Sequence, residues 1–435
     1  MVDLRYAGPA GLNLLLVTEA AAKIAGGEIT SEELVTGCLD RIEARDQDIH
    51  AWKYIDRDYA LEQARACDRT AVPTGPLHGV PVGVKDVLDT YDMPTEYGSS
   101  IYKGNRPAKD SVCVAALRQA GAVILGKTTT TEFASPVPVG VRNPHDFTRT
   151  AGVSSSGSAA AVADFMTPLA NGTQTGGSVI VPAAYCGVVG YKASLDGLDR
   201  AGIRNLKPTL DTLGYFARSV EDIGLVYGAL SGDVVPEAIS MPRIGLCRTM
   251  HWDEAEPASQ AVVEETVQKL SKAGLAVTDI DLPDVFGGID RIFRIISNVE
   301  GIRGMEAEFR DHLDKMNYWL RDMAASKDIW SDEDYREALA AGKDARNALG
   351  RIFKDVDILL APSIVGEAPA DLESLSVSPF NRIWTLMHGP TMTLPSGEGS
   401  NGMPIGVQLI ALQGDDARLI AWARQISTLL MVERA

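Results

Sequence analysis

Apolar residues recur along the chain with two periods, and their alternation predicts a mixed α/β protein. Residues 12–25 read as a helix that stops at Gly26-Gly27. Thr30 followed by Glu33 makes a capping box, which opens a helix over 31–46 with Leu34, Leu39 and Ile42 on one face. A further helix over 59–69 precedes a Pro/Gly-rich loop at 72–76. Residues 80–84 have strand character, 111–119 read as helix and 123–125 as a short buried strand. A packed strand or close turn is expected at Val188-Val189. Next comes a helix toward Leu230, capped or surfaced by Glu221-Asp222 and closed by Ser231-Gly232-Asp233. Strands follow at 243–248, 277–282, 355–364 and 405–410, with helices at 257–273 and 416–430. The segment 288–350 is different: helix-rich and charged, with Phe293, Met305, Trp319 and Trp330 either lining a pocket or packing between helices. No internal repeat interrupts this order.

The pattern fails between Asn143 and Pro182. Two small-residue loops, 152–158 and 171–178, flank an Ala/Val-rich segment in which Ala159 to Ala163 are good helix formers. Such loops cannot build an apolar core. They can bring backbone N–H groups close to a bound oxygen, because glycine permits close approach and unusual dihedrals. A nest of amides at a turn or helix start suits an anion or a developing oxyanion. Serines there mostly bond locally to backbone, which is the ordinary role for Ser155, Ser156 and Ser158.

Lys85 ends the apolar run 80–84. A lone lysine in that position is ordinarily a surface side chain whose stem lies on apolar neighbours. Held in an apolar pocket instead, its amine loses affinity for a proton and can act as a base near neutral pH. Asp86 reads as a positioning residue. Residues 121–128, GAVILGKT, match the phosphate-loop pattern formally, but their centre is the strand itself, so a nucleotide-binding role is rejected.

Length and charge narrow the class. The chain has 435 residues, enough for a large core, and is read as one large domain over 1–435. A formal charge of −17 argues against nonspecific nucleic-acid binding. The five cysteines are scattered, odd in number and without zinc spacing, which fits a reducing compartment rather than a disulfide framework. The run LNLLLV at 12–17 is too short to span a bilayer, and no signal-peptide pattern opens the chain, so a cytoplasmic protein is expected. No G-x-S-x-G elbow and no HExxH motif is present. The six histidines, among which His78 lies near Lys85 in sequence, read as structural.

GVSSSGS at 152–158, GTQTGGS at 172–178 and PAAYCG at 182–187 together resemble the signature of the amidase signature family, serine amidohydrolases. Similarity extends to GVPVGVKD at 79–86, TEFA at 131–134, GYKAS at 190–194, 209–223, where 211–214 resembles a loop of the family, and GMPIGVQLI at 402–410, and so covers most of the chain. The resemblance implies an α/β fold with a mixed twisted central sheet covered by helices on both faces. It implies a signature and catalytic core at 70–230 and a variable, helical pocket insertion at 288–350. By resemblance, Ser178 is the nucleophile, Ser154 the bridging serine and Lys85 the base. The backbone amides of Thr175, Gly176, Gly177 and Ser178 form the oxyanion hole. Glu132 has no proton-transfer role, and neither a cofactor nor a metal is required.

The family's bridging serine follows a cis peptide link. Here Val153 replaces a common glycine before Ser154, Gln174 replaces an aspartate, Val179, Ile180 and Val181 lack the usual basic residue, and Ala193 replaces a proline. Losing both members of an acid–base pair strands neither charge. The implied activity is hydrolysis of a linear carboxamide through a serine acyl-enzyme, releasing a carboxylate and ammonia or an amine. The alternatives are a glutaminase-type component of an amidotransferase, its A subunit, which needs partner subunits, and a catalytically silent interaction protein of the same fold. The expected partner is a small-molecule amide, with no nucleic acid or membrane, and the reading allows a homodimer.

Overall fold

The computed structural model describes residues 11–237, 239–375 and 379–432. In chain order the strands are β1 (Trp52–Ile55), β2 (Pro81–Lys85), β3 (Val123–Thr128), β4 (Arg142–Asn143), β5 (Asp146–Thr150), β6 (Leu169–Gln174) and β7 (Val189–Lys192). They continue with β8 (Thr212–Ala217), β9 (Ile244–Leu246), β10 (Val277–Asp279), β11 (Ile358–Pro362), β12 (Thr391–Glu398) and β13 (Pro404–Ile410). Among the described residues, all but the β4–β5 hairpin join one eleven-stranded sheet, in the order β1-β3-β2-β6-β8-β7-β12-β13-β11-β9-β10. β2 runs parallel to both β3 and β6, while β8 is antiparallel to β6 and β7. Every residue of β2, β3, β6, β7 and β8 is buried, as expected for strands covered on both faces. No described helix is long and apolar enough to cross a membrane.

Local chemistry explains most elements. The Thr30–Glu33 capping box forms, with the Thr30 N–H donating to Glu33 at 2.8 Å and the Glu33 N–H to Thr30 Oγ1 at 3.1 Å. It starts the helix Ser31–Ile49. The helix Val220–Ser231 is N-capped by Ser219 and ends at Gly232, whose φ of 77° suits glycine. Asp222 does not surface that helix. It is buried and accepts the Thr18 N–H at 2.9 Å, pinning the first turn of Val17–Ala25.

Four expectations are corrected. The helix over 12–25 is two pieces, Leu12–Leu14 and Val17–Ala25, because Leu16 is extended and its N–H is capped by Glu19 at 2.9 Å. The small-residue stretch at 171–178 is strand as far as Gln174, since β6 is held between β2 and β8 and pairs with β8 residue by residue. The loop at 152–158 becomes helix at Ser156, opening Ser156–Ala163. Thr212 to Gly214 lie in β8 rather than a loop. The GKT of the phosphate-loop match lies inside β3, fully buried, in keeping with its rejection.

Candidate active site

The candidate site lies at the carboxyl ends of the parallel strands β2 and β6, where open α/β sheets usually bind ligands. Lys85 is the last residue of β2 and is 0% exposed. Its backbone N–H donates to Asn171 Oδ1 of β6 at 2.9 Å. Its Nζ lies 2.7 Å from Ser154 Oγ, 2.8 Å from Thr173 Oγ1 and 2.9 Å from Ser155 Oγ. Burial pulls the Lys85 amine down from 10.5 to about 7, against a smaller opposing pull from Asp211. At neutral pH a large fraction is therefore the free base.

Two other lysines are as deeply buried, and their partners separate them from Lys85. Lys127 Nζ also meets hydroxyls, Thr95 Oγ1 at 2.6 Å and Thr90 Oγ1 at 3.4 Å, but it donates to Leu88 O at 2.7 Å and lies 3.4 Å from the Asp86 carboxylate. Lys192 Nζ donates to the carbonyls of Gly389 at 2.6 Å and Ala193 at 2.9 Å. Carbonyls and carboxylates can only accept, so both lysines are anchored as donors. Lys85 is ringed by hydroxyls, which can also donate to it.

Glycines let this ring close. A Cβ at Gly172 would stand 2.9 Å from Ser155 Oγ and 2.7 Å from the Phe216 ring. A Cβ at Gly157 would meet the backbone of Ala51 and Thr129 at 2.5–2.6 Å, so the helix Ser156–Ala163 starts directly against the chain leaving β3. Among the described residues every peptide bond is trans, including the one before Ser154. Ser154 takes φ 56° instead, a left-handed conformation costing a non-glycine residue roughly 1–2 kcal/mol. Its hydrogen bond to Lys85 helps hold it there.

Ser178 stands apart from that cluster. It is half-buried in a cleft of about 120 Å³ lined also by Val153, Thr175, Gly176, Gly177, Phe293 and Trp319. Among the described residues its hydroxyl makes no hydrogen bond, and the amides of Gly176, Gly177 and Ser178 donate none. The structure thus joins Lys85 to Ser154 directly, and Ser178 lines a cleft that Val153, the residue before Ser154, also lines. The Ser154–Ser178 contact is not made. Catalytic hydrogen bonds are often loose in unliganded enzymes and tighten around substrate.

The departures in the signature are accommodated by hydrogen bonding. Gln174 is buried, and its Oε1 accepts the N–H groups of Val179 at 3.0 Å and Ile180 at 3.1 Å. It caps the helix Ile180–Cys186, and its Nε2 donates to Thr385 Oγ1 at 3.2 Å. A neutral amide here needs no cation, which is why Ile180 and Val181 are tolerated. Gln174→Ala would leave two amides unpaired and is expected to cost about 1–3 kcal/mol, read as a lower urea midpoint with unchanged slope.

Several residues take structural places. Asp86 accepts the Glu96 N–H at 3.2 Å, and Glu132 accepts from Ser99 Oγ at 2.7 Å and the Asn317 N–H at 2.9 Å. His78 Nδ1 accepts the Thr74 N–H at 3.3 Å. Met305 is buried in a cluster with Phe133 and Leu320, and Trp330 packs against the helical core; of the four large side chains noted in 288–350, Phe293 and Trp319 reach the cleft. Sequence reasoning missed Thr173 as a partner of Lys85, and it missed Lys207 and Arg382 in the cleft wall. Thr173 hides in a run of small residues. Arg382 had a signal, as the one charge in the apolar helix Pro379–Leu386.

Comparison with known proteins agrees with this architecture. The Amidase family model matches residues 33–420, and the chain belongs to that family. The glutamyl-tRNA(Gln) amidotransferase A subunit of Salinispora arenicola is 32% identical, covering 94% of this chain and 96% of its own length. A crystallised amidase superposes with a TM-score of 0.88 at 27% identity, over 97% of this chain and 100% of that one. The peptide amidase of Stenotrophomonas maltophilia does so with 0.83 at 27%, over 96% and 97%. The fold is therefore the amidase-signature α/β fold, and hydrolysis of amides is the chemistry that family membership supports.

Proposed function

We propose that the protein hydrolyses the C–N bond of a small carboxamide, with Ser178 as nucleophile, Ser154 as bridge and Lys85 as base. The observation that carries this reading is the buried Lys85 amine, 2.7 Å from Ser154 Oγ and surrounded by hydroxyls rather than a counter-ion. A neutral amine has two N–H donors and one lone pair. Ser155 gives its proton to Thr173 O at 3.2 Å, so it accepts from Lys85. The lone pair is then served by Ser154 or Thr173, and the relay uses Ser154.

In this mechanism Lys85 takes the Ser154 proton while Ser154 takes that of Ser178, and Ser178 Oγ bonds to the amide carbon. The oxyanion is received by the amides of Thr175, Gly176, Gly177 and Ser178. Collapse breaks the C–N bond as the proton returns through Ser154 to the leaving nitrogen, which departs as ammonia or an amine. Water then adds to the acyl-enzyme by the same route, restoring Ser178 and releasing a carboxylate. A panel of primary amides, anilides and esters, read for ammonia or amine and for carboxylate together, tests the reading. Turnover of none of them by folded protein would count against it.

Ser154→Ala is expected to lower kcat by about 10²–10⁴-fold while circular dichroism stays unchanged, since Ser178 keeps its hydroxyl but loses its proton path. A rate near wild type would remove Ser154 from the mechanism. A second reading, ammonia supply within an amidotransferase complex, is favoured by the 32% identity to the Salinispora protein. Stoichiometric co-purification with other subunits would select it over a solitary amidase.

A further inference from the structure

The cleft at Ser178 carries two basic side chains that form no ion pair among the described residues. Arg382 and Lys207 both line it. Among the described residues neither side chain forms an ion pair or hydrogen bond, although Arg149, Arg204, Arg243 and Arg248 all pair with carboxylates. The Arg382 guanidinium lies 5.9 Å from the centre of the Phe293 ring. The carboxylates that act on it, Asp290 and Glu254, do so only through space, and Arg294 adds positive charge beside it.

Lys207 is similarly placed. The carboxylates that act on its amine through space, Asp211 and Glu300, form no ion pair with it and accept their hydrogen bonds from other groups. Asp211 accepts the Thr175 hydroxyl and, at 2.9 Å, the N–H groups of Leu206 and Lys207. Glu300 accepts from Thr209 Oγ1 at 2.6 Å and Tyr335 Oη at 2.7 Å.

A half-buried guanidinium cannot shed its proton, so an unmatched one is costly until an anion arrives. The chain as a whole carries −17, which makes a locally unmatched positive cleft a built feature rather than a reflection of composition. An arginine fork fits a planar carboxylate in a bidentate manner. We infer that the substrate is an amide that also carries a carboxylate, held by Arg382 and Lys207 while its amide carbon faces Ser178. This inference rests on the hydrolytic reading above for the second half of that statement, but not for the carboxylate subsite.

The test separates the two. Succinamate and butanamide share a primary amide and a four-carbon frame, and differ in a terminal carboxylate against a methyl. The wild-type kcat/KM ratio of succinamate to butanamide is expected to exceed one by about 10–100-fold and to fall at least tenfold in Arg382→Gln. Titration calorimetry with succinate, which needs no turnover, should show binding to wild type that weakens at least tenfold in the same variant. Lys207→Met, on a separate segment, repeats both measurements if Arg382→Gln does not fold. Equal succinate affinity in wild type and variants, an unchanged ratio, or amide turnover without succinate binding overturns the carboxylate subsite and leaves the amidase reading intact. Succinate binding lost with Arg382, in a protein that turns over no amide, keeps the subsite and removes the hydrolytic reading instead.

Discussion

Ser178→Ala is expected to lower kcat by about 10⁴–10⁶-fold and leave the fold unchanged, because it removes the atom that would form the acyl-enzyme. The stability change should be small. The Ser178 hydroxyl is half-buried and makes no hydrogen bond among the described residues, so its loss leaves no partner stranded. Wild-type protein stopped on a slow ester or amide should carry the acyl mass on the peptide containing Ser178. The nearest competitor is Ser155, which also touches Lys85 at 2.9 Å. Ser155 is fully buried, however, and its proton is committed to the Thr173 carbonyl. An adduct on Ser155 would overturn the assignment.

Replacing Lys85 is expected to have a comparable effect on turnover, and its pH signature identifies the cause. With its amine near pKa 7, kcat/KM should fall on the acid side with a midpoint close to pH 7 as Lys85 becomes protonated. Lys85→Arg keeps a cation but cannot serve as a base, and Lys85→Met keeps length without either. Both are expected to lose at least about 10³-fold in kcat. A near-wild-type rate in Lys85→Arg would make the lysine electrostatic or structural.

Stability gives an independent check on the same group. Its folded value of about 7 lies below the ordinary 10.5. Between those values the unfolded chain binds a proton that the native state does not, so this contribution to stability rises with pH across the window and is complete above 10.5. Lys85→Met has nothing to titrate. Its unfolding free energy should climb less between about pH 7.5 and 9.5 than that of wild type, measured by urea denaturation at each pH. Lys127 and Lys192, each lowered to about 8, add slope of the same sign in both proteins, so the comparison is of the difference between the two.

Much of the fold was legible wherever a signal is local. The Thr30–Glu33 box involves residues three apart, and the structure makes both of its hydrogen bonds. The strand reading of 123–125 extends to Thr128, because the Gly-Lys-Thr that follows continues as buried strand against β1 and β2. Where residues could serve two backbones, local reading failed. Asn171 to Gln174 look like a loop, yet they pair residue by residue with Tyr215 to Thr212 of β8. β1 and β12 had no pattern strong enough to announce them, and they exist through their sheet partners.

By itself the sequence determined the family, the α/β class and the short list of chemical groups: a lysine ending an apolar strand and serines set among glycines. These are properties of residue type and spacing, and they survive without contacts. Tertiary structure decided the rest. It gave Lys85, which the resemblance already singles out, three hydroxyl partners and, among the described residues, no carbonyl or carboxylate in bonding range, since a side chain's protonation depends on neighbours drawn from β2, β6 and the turn at Ser154. It placed Ser154 in a left-handed conformation on a trans peptide. It also carried Arg382, far along the chain, to the cleft of Ser178, a meeting that no local pattern encodes because the energy holding it comes from the packing of the whole sheet and its covering helices.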